Sequence, residues 1–366
     1  MELPVNQIMN GDALTHLKKL PDQSINMVMT SPPYWGLRDY GTAKWIGGNS
    51  ECDHKIPDNE KDPKSPNAGS HISRFNRECC YKCGAKRIDS QIGLEPTFQD
   101  YIIKLCDIFD EVKRIIRNDG TLWINMGDTY SAKPLGSFNG GGSIVKGRDM
   151  KGISTSGCID KTKSNVQEKS LCNIPARFSI EMQNRGWILR NVIIWHKPSC
   201  LPSPVKDRFT VDFEYIFFFS KNKDYYFKQQ IENTKAKVIE PRMLEEKRQT
   251  YDEGKYKGEQ GVRRTMTRNM RSVWSINPKP FLEAHFATYP EGLCETPISA
   301  GCPEGGIVLD MFFGAGTTGL VALKQNKKFI GIELNPSYIK IAQDRINKFA
   351  NQQKLDALED RKVTDA

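Results

Sequence analysis

The sequence predicts an α/β protein with a doubly wound, mostly parallel sheet whose strands are wired in permuted order. Three observations predict it. Short apolar runs alternate with a stretch of helical periodicity. A glycine loop, GAGTTG at Gly314 to Gly319, follows a strand near the end of the chain, and only one further strand lies beyond it. A dinucleotide-type sheet normally begins at such a loop, so the remaining strands must come from its N-terminal side.

Taken in order, Ile25 to Thr30 (INMVMT) is a short apolar run that ends at a proline corner, as a buried strand would. It closes a first unit, residues 1–46. Residues 47–90 are rich in Asn, Asp, Lys, Pro and Ser with little apolar periodicity, and read as an insertion. The domain resumes over 91–227. Thr97 is the expected N-cap of a helix whose apolar residues run from Phe98 to Ile116 at helical spacing. Asn118-Asp119-Gly120 should close it before a strand at Thr121 to Met126 (TLWINM).

Residues 133–170 are dominated by Gly, Ser and Lys and read as a mobile loop. A helix is expected around Ile174 to Arg185, with strands near Leu189 to Trp195 and Phe213 to Phe219. Residues 228–271 are polar and carry more Lys and Arg than Asp and Glu. The last ordered unit, within 272–350, reads as strand (Ile307 to Asp310), glycine loop, helix, strand (Phe329 to Glu333) and a helix opened by Pro336. The charged tail, 351–366, should fray.

The totals narrow the class. The chain has 366 residues, 38% hydrophobic and 27% charged, which suits a globular protein. Its longest aromatic and aliphatic run, Tyr215 to Phe219, is far too short to span a bilayer. The first residues show no basic region followed by an apolar stretch, so a cytoplasmic, nucleoid-associated protein without a membrane partner is expected. A net charge of +9 favours polyanionic partners. Ten cysteines in such a chain point to thiols or a metal rather than a disulfide framework.

In the glycine loop the backbone can approach a ligand closely, and the following helix offers free N–H groups. Glu333, ending the next strand, is placed to accept hydrogen bonds from ribose hydroxyls. An adenosine-containing cofactor is therefore expected. Asp310 at the strand tip would face a pyrophosphate badly but suits a cationic amino group, which favours S-adenosylmethionine over NAD.

The ordered motifs SPPY (31–34), GDAL (11–14), GTLWINMGDTY, GWILRNVIIWHKP, HFATYPEGL (285–293) and LDMFFGAGTTG resemble those of the β class of DNA amino-methyltransferases. In that class the catalytic motif precedes the cofactor motif. The resemblance covers most of the chain. It implies a Rossmann-like methyltransferase fold, S-adenosylmethionine as cofactor and double-stranded DNA as substrate, and it admits a cognate restriction endonuclease as partner.

The resemblance places Phe312, Gly314, Gly316 and Thr317 in the cofactor turn and Asp310 near the methionine amino group. It assigns Glu333 to the ribose, and His285, Phe286, Ala287, Tyr289 and Pro290 to the methionine end. Asp12 would contact the adenine amino group, or simply cap a turn. Ser31, Pro32, Pro33 and Tyr34 would form the catalytic corner, with Tyr34 stacking on a base extruded from the duplex. Within the family, serine at the first position accompanies the 4-amino group of cytosine, whereas aspartate or asparagine accompanies the 6-amino group of adenine. Ser31 favours cytosine, with adenine as the alternative.

Inside the insertion, Cys80-Tyr81-Lys82-Cys83-Gly84 has the spacing of a metal knuckle, and Cys52 and His54 can complete four ligands for a structural zinc ion. Cys79 could replace Cys80. Arg263, Arg264, Arg268 and Arg271 in 228–271 are the candidates for target recognition, against the reading of that segment as a solvated linker. Two other functions compete: an NAD-dependent oxidoreductase using the glycine loop, and a catalytically inactive zinc-containing DNA-binding protein.

Overall fold

The computed structural model describes residues 2–37, 40, 42–54, 79–80, 82–132, 159, 161–233, 267–278 and 289–364, with 354–364 as backbone only. The expected site residues His285, Phe286, Ala287, Arg263 and Arg264 lie outside the described residues.

The chain opens with β1 (Gln7–Asn10), α1 (Ala13–Leu17) and β2 (Ile25–Thr30). A two-stranded antiparallel pair, β3 (Lys44–Ile46) and β4 (Lys86–Ile88), forms the base of the insertion. Then come α2 (Phe98–Ile115), β5 (Ile116–Met126), α3 (Ile174–Asn184), β6 (Ile188–His196) and β7 (Phe213–Ser220). Two short strands, β8 (Ile231–Asn233) and β9 (Thr267–Asn269), pair antiparallel across the basic segment. The remainder is β10 (Val273–Ser275), α4 (Glu291–Gly301), β11 (Ile307–Asp310), α5 (Thr317–Lys324), β12 (Lys328–Glu333) and α6 (Pro336–Thr364).

The main sheet has the order β1-β12-β11-β2-β5-β7-β6-β10. Neighbours are parallel except β7, which runs against both β5 and β6. The last two long strands of the chain thus sit between the first two, which is the permuted wiring expected from the position of the glycine loop. Alternation along each strand feeds two cores. Val28, Leu122, Ile124, Phe217 and Leu309 pack with α2 and α3 on one face. Met27, Met29, Trp123, Phe218, Val308 and Phe329 pack with α4, α5 and α6 on the other.

Helix α2 starts where Thr97 Oγ1 accepts the Asp100 N–H at 3.1 Å, the expected N-cap. It ends sooner than expected, because Ile116 already pairs with Ile25 at the start of β5. The tail does not fray at 351: α6 continues to Thr364. No Gly or Pro interrupts 337–364, and Gln, Lys, Leu, Ala and Glu there are good helix formers. The end of the Gly/Lys loop is not loose either. Residues Lys161–Ser164 form a 3-10 turn, and Ser164 Oγ accepts the Phe98 N–H at 3.1 Å.

Phe313, which follows β11, is packed into the second core. Its ring stacks on Phe329 with centroids 5.4 Å apart. It also rests on Gly331, where an added Cβ would come within 2.7 Å of the ring. Gly331 sits in a strand of ordinary backbone, so its role is space. Gly331→Ala should therefore displace Phe313 and the loop it anchors, costing about 1–3 kcal/mol by overpacking. Thermal denaturation of the variant checks this.

Candidate active site

In open α/β sheets, ligands bind beyond the carboxyl ends of the parallel strands. Here β1, β2, β5, β6, β11 and β12 all end on one edge. Because β7 is antiparallel, its first residues, including Glu214, arrive at the same edge. A cavity of about 380 Å³ lies there. It is lined by Asp12, Ser31, Pro32, Pro33, Tyr34, Asn125, Lys197, Glu214, Tyr289, Phe312, Gly314, Thr317 and Glu333, among others. The 31–34 corner and the glycine loop, almost three hundred residues apart, are two walls of one cavity.

The corner is held from below. Tyr101 Oη donates to the Pro33 carbonyl at 3.0 Å, and the Gly36 N–H donates to the Gly93 carbonyl at 2.7 Å. Trp35 is buried, with its indole N–H donating to the Glu95 carbonyl, so it serves the core and does not line the cavity. The Tyr34 phenol donates to Glu214 Oε2 at 2.6 Å, which fixes the plane of its ring. Burial and the Glu214 carboxylate push that phenol well above the usual tyrosine range, so it is neutral. Ser31 Oγ lies 3.3 Å from Asn125 Oδ1, to which it donates. Asn125 Nδ2 in turn donates to Glu214 Oε2 at 3.0 Å, and Lys197 Nζ donates to Glu214 Oε1.

The opposite wall is the loop after β11. Gly314 has φ +50° and Gly316 φ +79°, the left-handed region that favours glycine. At Gly314 a Cβ would meet almost nothing, which leaves that face open to a ligand. At Gly316 it would come within 2.8 Å of Ala342, where α6 presses on the loop. Glu333 shapes the turn: its Oε2 accepts the Gly314 N–H and its Oε1 the Asn335 N–H, each at 2.7 Å. Burial holds its carboxyl above the usual range.

Three expected site residues are placed differently. Asp310 is buried and does not line the cavity. Its Oδ1 accepts from Thr30 Oγ1 at 2.6 Å and from the Phe312 N–H at 3.0 Å. Its Oδ2 accepts from Thr318 Oγ1 at 2.7 Å and Tyr289 Oη at 3.0 Å. Both oxygens are used by the protein, so Asp310 organises the loop. Pro290 caps α4, and Gly316 packs under α6; neither lines the cavity. Asp12 caps a helix, as one of its two readings expected. Its Oδ1 caps α1 through the Thr15 N–H at 2.9 Å, and the residue lines the cavity.

Asn125, Lys197 and Glu214 were not singled out in the sequence. Their signal is a polar side chain where an otherwise apolar strand meets the cavity edge.

Away from this edge, Cys52, His54, Cys80 and Cys83 bring their ligand atoms within 4.8 Å of one another. Cys52 Sγ lies 3.8 Å from Cys80 Sγ, and Cys83 Sγ 3.5 Å from His54 Nδ1. Tetrahedral zinc with ordinary bond lengths has sulfur–sulfur and sulfur–nitrogen edges of about 3.8 and 3.5 Å. Backbone bonds from the Gly84 N–H to the Cys80 carbonyl and from the Cys80 N–H to the Ala85 carbonyl make the tight turn of a knuckle. Cys79 is exposed, and its backbone pairs with that of Lys86. In the basic segment, Arg268 Nε and Arg271 Nε each donate to Glu232 Oε1 at 2.7 Å.

Residues 25–344 match the model of the N6/N4 family described as DNA methylase. The chain belongs to that family. This DNA methylase is 35% identical over 340 residues to the Type II methyltransferase M.XycI of Xanthomonas campestris pv. cyanopsidis, covering 93% of this chain and 87% of the relative. It is 34% identical over 347 residues to M.Cfr9I of Citrobacter freundii, covering 94% and 89%. Its fold is that of the solved PvuII DNA methyltransferase (cytosine-N4-specific), with a TM-score of 0.53 at 18% identity, covering 93% of this chain and 85% of that one. The methylase is thus an enzyme, and the oxidoreductase and inactive-binder readings fall away.

The buried Asp310 generates a prediction. Asp310→Ala leaves four donors without their acceptor in a water-poor site and should destabilise the methylase by about 3 kcal/mol. Denaturant unfolding measures this.

Proposed function

We propose that this methylase transfers a methyl group from S-adenosylmethionine to the exocyclic 4-amino nitrogen of cytosine in double-stranded DNA. The observation that carries the reading is the single cavity walled by residues 31–34 on one side and by Gly314, Thr317 and Glu333 on the other. Asp12 and Glu333 would hold the cofactor's adenosine, and Tyr289 and the glycine loop its methionine end; bound there, S-adenosylmethionine would supply an electrophilic methyl group to an amine held at the corner.

A base conjugated with its ring has a poorly nucleophilic amine. Because Tyr101 occupies the Pro33 carbonyl, the carbonyls of Ser31 and Pro32 are the acceptors for the amine protons. Those bonds draw the nitrogen toward tetrahedral geometry. An amine held there would bond to the methyl in line as the bond to sulfur broke with its electron pair staying on sulfur, and the surplus proton on nitrogen would pass to water. Positioning supplies most of the rate. The fixed, neutral Tyr34 ring offers the stacking face for the extruded base.

Lys197 supports cytosine as the target. Its ammonium lines the cavity, and besides the proton given to Glu214 it has two more to donate. Cytosine presents a carbonyl oxygen on the edge that carries its amine, whereas adenine presents C–H. Incubation of random-sequence duplex with the cofactor, followed by nucleoside mass spectrometry, should yield N4-methylcytosine. N6-methyladenine as the sole product contradicts the choice of base. Tyr34→Ala should lose about tenfold to a hundredfold of the methylation rate, the worth of one base stack.

Glu333 accepts from ribose hydroxyls most strongly when ionised. Its raised pKa means protonation begins at a higher pH than for an ordinary glutamate at about 4.3. Cofactor affinity measured by calorimetry should therefore fall on mild acidification, and Glu333→Gln should start lower and respond less to pH.

A structural zinc ion held by Cys52, His54, Cys80 and Cys83 completes the proposed protein. The tetrahedral edge lengths support it. So does the scarcity of apolar residues in the insertion, whose ends flank the cavity wall at Tyr40, Thr42, Gln91 and Ile92. Metal analysis of the purified chain should find about one zinc per chain, and Cys83→Ala should lose it and weaken cofactor binding.

A further inference from the structure

The loop between β6 and β7, residues 197–212, is rooted in the cavity at both ends. Trp195 and Lys197 line the cavity on one side and Glu214 on the other. The base of the loop is closed by the Lys197 N–H donating to the Asp212 carbonyl at 2.7 Å. Its far part is braced: the Arg208 guanidinium lies 3.4 Å from the Tyr130 ring centre, and Lys169 Nζ bonds Asp207 Oδ2 at 2.8 Å. Pro202 and Pro204 stiffen the span between.

This anchored loop displays apolar side chains to solvent. Phe209 is 96% exposed and Leu201 89%, the two most exposed large hydrophobics among the described residues. Val205 and Val211 are exposed beside them in sequence. Cations interleave with them at Lys206 and Arg208, and the one neighbouring acid within that run, Asp207, is neutralised by Lys169. An apolar tip flanked by cations matches a stacked polyanion, since phosphates meet the charges and base faces meet the ring.

We propose that Phe209, assisted by Leu201, enters the duplex and fills the gap that the extruded target base leaves in the stack. The inference rests on the base-extruding reading of the cavity. Extrusion unstacks and unpairs the target, and an inserted apolar side chain offsets that loss. Glu214, five residues from Phe209, holds Tyr34, so the loop that plugs the duplex is continuous with the wall that receives the base.

The test compares the full-length protein and Phe209→Ala on two duplexes, using methylation rates and a fluorescent base analogue at the methylated position. One duplex is fully paired; the other has no base opposite the target, so unpairing is already done. The variant should lose about tenfold to a hundredfold in kcat/KM and the fluorescence rise on the paired duplex. It should regain most of both on the unpaired one, and Phe209→Leu should keep most activity on either. S-adenosylmethionine affinity by calorimetry should be unchanged. Equal loss on both duplexes, or no loss on the paired one, overturns the proposal. So does a change of oligomeric state in Phe209→Ala by sedimentation, which assigns the patch to a second copy of the chain. Methylation by the unaltered protein without any fluorescence rise overturns the base-extruding reading itself.

Discussion

The structure turns on the buried carboxylate of Asp310. It receives Thr30 from the end of β2, the Phe312 N–H and Thr318 from the glycine loop and α5, and Tyr289 from the start of α4. These groups come from four places in the chain, and each must be satisfied because water is excluded. Thr30 is the residue immediately before Ser31. One carboxylate therefore ties the 31–34 corner to the glycine loop. Burial raises its pKa, and the four donors oppose that shift by favouring the ionised form.

Around this pin the permuted sheet has a mechanical consequence. Strands β11 and β2 are adjacent although nearly three hundred residues apart, so their carboxyl ends deliver both motifs side by side. The antiparallel β7 then adds Glu214 from its beginning to the same edge. Glu214 gathers Tyr34, Asn125 and Lys197, which makes the wall beside the 31–34 corner a hydrogen-bonded network. The glycine-loop wall is set by backbone shape at Gly314 and Gly316, and the wall at 31–34 by side-chain bonds. The proposed extrusion of a base requires both walls to be rigid before DNA arrives.

Much of this was legible in the sequence. Apolar runs disclosed β2, β11 and β12, whose residues are buried on both faces, and periodicity disclosed α2 with its Thr97 cap. Motif order disclosed the permutation. Other features left little trace. Strand β1 (QIMN) is half exposed, β10 has three residues, and α4 contains Pro297 and two glycines, so neither pattern nor propensity marks them. Asp310 was legible as important but not in its role, because its four donors are fixed by tertiary structure. The same holds for Asn125, Lys197 and Glu214, whose convergence depends on the direction of β7. In the insertion, spacing offered Cys52, His54, Cys83 and either Cys80 or Cys79, and it is Cys80 that the structure brings beside the other three.

The central claim is that one cavity places the cofactor's methyl group against the 31–34 corner. Irradiating the protein with methyl-labelled S-adenosylmethionine and mapping the labelled peptides tests it most directly. The account predicts label on peptides containing residues 31–37 and 310–317, both suppressed by excess S-adenosylhomocysteine. Label on the glycine loop alone, with the corner unlabelled, would contradict it.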